Sequence, residues 1–314
     1  MNPAFSVIFL TTLIGVGQGL FLALFSSQTY GIVNVLPAQP GSFYALGGLI
    51  ALAFFHLGHP ERAWRAASQW RTSWLSREVI ALPVTMGLIL LFVAVNALEL
   101  DADLYGWGMP GQVALTVGVV GAAANLALFL CTGMVYAAIK FLQEWASPLT
   151  VVNYFLLGSA SGFTFAAAYA AFRAPDLTDF FAGWAIALTL AAFVTRAASL
   201  VRNARIKRIS SLQSAIGVRH NQIQQRSMGF MGGSYNTREY FHGRTVAFLK
   251  SVKWVFLVLV FPVPLALLWA GLAASSPGLL LAAFLIQYLG LLFERWFFFA
   301  QANHPQNLYY QVVG

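Results

Sequence analysis

Residues 112–138 read QVALTVGVVGAAANLALFLCTGMVYAA, twenty-seven positions without an Asp, Glu, Lys or Arg. At ~1.5 Å of rise per residue, a helix over this run is about 40 Å long, enough to cross a hydrocarbon core of ~30 Å. A barrel strand needs only ~10 residues and alternates apolar with polar positions, whereas this run is longer and does not alternate. It predicts a transmembrane helix.

Seven further apolar runs flank it, at about 4–27, 42–58, 78–98, 150–172, 180–201, 246–272 and 276–300. Each is near the ~20 residues a crossing needs. The second is the shortest and ends at the polar His56. Pro83, Gly162, Pro262 and Pro264 fall inside runs, where neighbouring helices can absorb the kinks. The fold class expected is all-α: a polytopic membrane bundle of about eight transmembrane helices. Residues 1–314 would form one anchor domain with a long loop at about 202–245. The first run has no basic residue before it and reads as a retained helix rather than a cleaved leader.

Composition agrees. Apolar residues are 59% and charged residues 9% of 314 positions, against ~25% charged in a soluble domain. Mean hydropathy is +0.71. The lone cysteine, Cys131, makes no internal disulfide and no Cys-rich metal cluster.

The net charge of +8 would suit nucleic acid, but its distribution argues for membrane topology instead. Arg62, Arg65, Arg71 and Arg77 lie between the second and third runs. Eleven more cations, from Arg196 to Lys253, surround the long loop. With eight crossings, these fifteen of the eighteen basic residues share one side, and Lys140 joins them. Glu99, Asp101, Asp103, Arg173, Asp176 and Asp179 fall on the other. The positive-inside rule then puts the arginine-rich loops and both termini in the cytoplasm. The long loop also holds Phe230, Met231, Tyr235, Tyr240 and Phe241, which a purely solvated loop has little use for. It reads as a docking surface for a cytoplasmic partner, the alternative being a loop held by lipid phosphates.

The chemistry-bearing stretch is His56-Leu57-Gly58-His59-Pro60-Glu61-Arg62-Ala63-Trp64-Arg65, followed by Trp70-Arg71-Thr72-Ser73-Trp74-Leu75-Ser76-Arg77-Glu78. Gly58 and Pro60 break the helix. Ser76 is expected to cap the third long helix, with Glu78 in its first turn. Trp64, Trp70 and Trp74 fit an aromatic belt. His56 has two readings: an interfacial residue bonding a loop carbonyl, or a proton donor to a quinone oxygen. Quinone reduction consumes two electrons and two protons, and histidine titrates near neutral pH. Glu78 could relay protons, and Arg71 or Arg77 could hold a carbonyl or a developing anion.

Glu294-Arg295 is a second constellation. An ion pair inside an apolar run is costly and marks either function or a helix–helix contact. It would lie about 9 Å below the helix end, on the same side as His56 and Glu78. Both readings, quinone contact and packing pair, stand. Of the five histidines only His56 touches a membrane run, so a bis-histidine haem is not expected, and no metal-ligand spacing or phosphate-binding glycine motif is present. A transporter is the alternative from another class; the chain shows no internal repeat and few ionisable groups within its runs.

The pattern His56-Leu57-Gly58-x-Pro60-x-Arg62-Ala63, then Ser76-Arg77-Glu78, resembles the signature of DmsC-type membrane anchors of molybdopterin oxidoreductases. Glu294 and Arg295 sit where that family also has a polar pair, at a different spacing. The resemblance implies a haem-free anchor holding an iron–sulfur subunit and a molybdopterin catalytic subunit, and exchanging electrons with ubiquinone or menaquinone near His56 and Glu78. The arginine-rich loop would put those subunits in the cytoplasm. That arrangement, with Asn2-Pro3-Ala4-Phe5-Ser6-Val7-Ile8-Phe9, is similar to anchors of quinone-linked sulfite dehydrogenases. The implied function is electron transfer to quinone during sulfite oxidation to sulfate in a bacterial inner membrane. The rival within the family is a dimethyl sulfoxide reductase-type anchor taking electrons from menaquinol.

Overall fold

A computed structural model of the chain describes residues 1–32, 36–37, 39–53, 63–100, 106, 111–223 and 242–305. The described residues form helices and no strands. They are α1 (Phe5–Ile32), α2 (Gly41–Ala53), α3 (Ala63–Ala67), α4 (Trp74–Ala97), α5 (Gln112–Ala137), α6 (Pro148–Arg173), α7 (Thr178–Ala204), α8 (Leu212–Ile216), α9 (Val246–Val260), α10 (Pro262–Ala273) and α11 (Pro277–Ala300).

Among the described residues, seven segments are long and apolar enough to cross a membrane, with α9 and α10 counted as one span, Val246–Ala273. Of the eighth expected run, 42–58, the described residues hold α2, 13 residues long. The rest of that run lies outside the described residues. Trp254, Trp269 and Val194 are more than 60% exposed, as side chains facing lipid would be.

Helix α6 is the hub, packed against α1, α5, α7 and α11. Lipid tails give apolar side chains little reason to associate, so close backbone approach supplies the packing. Gly19 of α1 and Gly158 and Gly162 of α6 make that approach. A Cβ at Gly162 would fall on the backbone of Gly19 and Leu20, and one at Gly19 on the Gly158 carbonyl.

The expected kink is at Phe261, between α9 and α10. Pro264 has no N–H to give the Val260 carbonyl. The buried Gln287 of α11 takes its place, with Nε2 3.4 Å from that oxygen and 3.2 Å from Thr189 Oγ1.

Residue 1 and the end of α11 meet: the Met1 nitrogen donates to the Ala302 carbonyl at 2.7 Å. Arg202 Nη2 donates to the carbonyls of Gln143 and Ala146, at 3.0 Å each, and Asn303 Nδ2 to Glu144 Oε1 at 3.3 Å. The segment after α5, the end of α7, residue 1 and the end of α11 therefore share one side, called the terminal face below.

Three expectations change. Helix α4 begins at Trp74, and Ser73, not Ser76, caps it, its side chain accepting the Ser76 N–H. Glu78 accordingly lies in the second turn. Arg196, grouped from sequence with the loop cations, sits inside α7 and is 2% exposed. Helix α7 also runs to Ala204, so the long loop starts at 205 rather than 202. Residues 224–241, which carry the loop's aromatic cluster, lie outside the described residues.

Candidate functional site

His56 lies outside the described residues, so the site is built from the groups around Glu78. Trp70 and Arg71 precede α4 at the terminal face. Arg77 curls back over that turn, Nε donating to the Trp70 carbonyl and Nη2 to the Arg71 carbonyl, both at 2.9 Å. Its guanidinium also stacks 4.2 Å from the Trp74 ring centroid. Two of its donor nitrogens are thus spent on holding the turn. Arg71 is exposed, its guanidinium 5.4 Å from the Trp70 ring.

Glu78 is half-buried and points across to α5, where the Thr132 hydroxyl donates to its Oε1 at 2.6 Å. That is a charge-assisted length. Thr132 is 4% exposed, and Cys131 beside it is also buried. So Arg71, Arg77 and Glu78 are brought together on one turn-and-helix start.

Glu294 and Arg295 do not lie against that turn. They are 1% and 4% exposed, in the interior between α11, α7 and α6. The third member of their cluster is Arg196, with Nε 2.8 Å from Glu294 Oε1, while Arg295 Nε is 3.4 Å from Oε2. Arg196 also lies over the rings of Phe256 and Phe297, and the Arg295 guanidinium sits 3.8 Å from the Tyr154 ring centroid. Two guanidinium groups thus share one carboxylate, leaving the trio with one excess positive charge.

Sequence reasoning missed Arg196 and Thr132. Arg196 had a signal: a cation eight residues inside the end of an apolar helix, the same criterion that singled out Glu294. Thr132 had none, since a threonine in a membrane helix ordinarily bonds its own backbone.

Counted from the helix ends at ~1.5 Å per residue, Glu78, Thr132, Tyr154, Glu294, Arg295 and Arg196 all lie roughly 6–12 Å below the terminal face. The hydroxyls of Tyr136 and Tyr154 are within electrostatic reach of both Glu78 and Arg295. Above this layer the rings of Tyr136, Trp145, Phe298 and Phe299 pack together, and Trp145 Nε1 donates to the Phe298 carbonyl at 2.8 Å. Beside the same face, burial and the nearby terminal ammonium push the His242 imidazole below its ordinary pKa.

The described residues thus form a multi-span helical membrane protein with ionisable side chains gathered under one face. More specifically, the chain belongs to the DMSO reductase anchor subunit (DmsC) family, whose model matches residues 3–310. It is 53% identical, over 325 aligned positions and 100% of both chains, to a subunit of the sulfite dehydrogenase of Allochromatium vinosum.

Proposed function

We propose that the chain is the membrane anchor of a sulfite dehydrogenase and passes electrons from an iron–sulfur subunit to a membrane quinone. The whole chain, 1–314, would serve as one anchor domain. Family membership and the end-to-end likeness to a sulfite dehydrogenase subunit support the anchor. The quinone link rests on one observation: a carboxyl group, Glu78, held by Thr132 just inside the face that carries Arg71 and Arg77.

These residues fit a quinone headgroup. Reduction delivers two electrons and two protons to it, and its oxygens need donors in apolar surroundings. Glu78 would give a proton to one oxygen, and His56 is the donor proposed for the other. Arg71, exposed at the mouth, would orient a carbonyl, while Arg77 keeps the turn in shape. Glu294 and Arg295 belong to the proposed site as deeper charges that set the field around Glu78, together with Arg196.

The arginine-rich loops support a cytoplasmic terminal face in a bacterial inner membrane, with both termini on that side. The iron–sulfur subunit and the molybdopterin catalytic subunit would dock there, the loop after α7 contributing to their seat. The anchor itself would carry no haem; the quinone would be ubiquinone or menaquinone.

The test uses membranes holding the chain with the subunits that purify with it. Glu78→Gln and His56→Gln should each lower sulfite-dependent quinone reduction about 100-fold, the scale of lost acid–base assistance, while sulfite oxidation with a soluble dye continues. Equal loss of both activities would remove Glu78 and His56 from the quinone site. Protease cleavage in 205–245 from the periplasmic side would reverse the orientation.

A further inference from the structure

Between α1, α5, α6 and α11 lies a cavity of about 10 Å³ whose lining includes Thr11, Thr12, Thr132, Tyr154 and Arg295. That volume is at the lower limit for one water molecule, which also needs two to four polar partners. Three candidates face it. The Tyr154 hydroxyl is buried beside the Tyr136 hydroxyl and the Arg295 guanidinium, and neither contact is a well-formed hydrogen bond. Thr132 spends its only proton on Glu78, which leaves its oxygen free to accept. Arg295 uses Nε towards Glu294, and its guanidinium has further N–H groups to give.

We propose that this cavity binds one water, donating to Thr132 Oγ1 and accepting from Tyr154 and Arg295, and that this water couples Glu78 to the Arg196–Glu294–Arg295 cluster. The proposal rests on the quinone reading for its role, not for its existence. Of the charged and titratable groups, Arg295 on α11 and Tyr154 on α6 line the cavity; Glu78 on α4 is reached through Thr132, Glu294 and Arg196 through Arg295, and the Tyr136 hydroxyl on α5 through Tyr154. Below the Arg77 turn, with Glu78 ionised, the layer holds two guanidinium and two carboxylate groups and is neutral. With Glu78 protonated it carries one excess positive charge. The water transmits that excess towards Glu78 and keeps the Thr132 hydroxyl aimed at the carboxylate. Thr132 and Tyr154 are positioning residues in this arrangement.

Tyr154→Phe keeps the ring under Arg295 and removes only the hydroxyl, and Thr132→Val removes the donor to Glu78. The infrared difference between the wild-type chain and Glu78→Gln isolates the Glu78 carboxyl band in either protonation state. Tyr154→Phe should shift that band in the same sense as Thr132→Val, with Thr132→Ser restoring the wild-type position. In the intact complex, both should move the pH of half-maximal quinone reduction together, with about tenfold lower turnover at the wild-type optimum and unchanged dye-linked activity. A band that responds to Thr132→Val but not to Tyr154→Phe would overturn the water link. So would wild-type pH profiles in both variants. If Glu78→Gln itself sustains quinone reduction, the quinone reading fails, and the infrared comparison still decides the water.

Discussion

Replacing Glu294 by Gln should be the most damaging conservative change in the interior. The carboxylate, 1% exposed, meets Arg196 at 2.8 Å and Arg295 at 3.4 Å. At an effective dielectric near 20, a contact of this kind is worth ~4 kcal/mol of attraction, set against the desolvation of each ion and the repulsion between the two guanidiniums. Removing the shared anion leaves two cations buried together, and such breaks cost ~3–5 kcal/mol. Glutamine keeps the shape and can still accept one hydrogen bond, so about 3 kcal/mol is expected, roughly a hundredfold in the unfolding equilibrium. The assay is denaturant-induced unfolding of the purified chain in detergent, at low and high salt. Because the trio is shielded from solvent, the loss should persist at high salt. Replacing the whole trio, Arg196→Met and Arg295→Met with Glu294→Met, should recover most of it, since a packed apolar cluster is often as stable as a buried ionic one and no charge is then left unpaired. Wild-type stability in Glu294→Gln, or a loss erased by salt, would refute the claim that this carboxylate holds the two arginines.

Gly162→Ala should push α6 off α1, because its methyl would land on the Gly19 backbone; size-exclusion profiles in detergent should show aggregated or lost protein. Gln287→Leu leaves the Val260 carbonyl at the kink unpaired and should cost about 1–3 kcal/mol in the same unfolding assay. His242 has a lowered folded-state pKa, so the unfolded chain binds more protons as pH falls. Its contribution is present above the ordinary value, roughly 6.5, and is lost as pH drops below it. Its Nδ1 accepts the Arg244 N–H at 3.1 Å, a bond that protonation there removes. Thermal stability should therefore decline between about pH 7 and 5, and His242→Gln should flatten that slope.

The membrane helices were legible because hydropathy is a sum over neighbours in the chain, and the run at 112–138 became α5 almost residue for residue. The Pro262–Pro264 kink was legible for the same local reason. The cap of α4 was misplaced by one serine: Ser73 and Ser76 both have the right chemistry. The choice fell to where Trp74 and Leu75 became helical, which depends on Arg77 tying down the preceding turn. The charged pair 294–295 was visible as an anomaly in an apolar run, but its partner Arg196 was assigned to the loop because loop cations surround it in the chain.

By itself the order of residues determined that this protein lives in a bilayer, that it crosses as helices, and which loops carry the positive charge. Each follows from short-range composition acting against lipid or water. Only the tertiary structure decided which polar side chains meet. Thr132 reaches Glu78 from the next helix, and Arg196 reaches Glu294 from a helix about a hundred residues earlier in the chain. In a low-dielectric interior a lone charge is too costly to leave unpaired, so packing had to choose its partner.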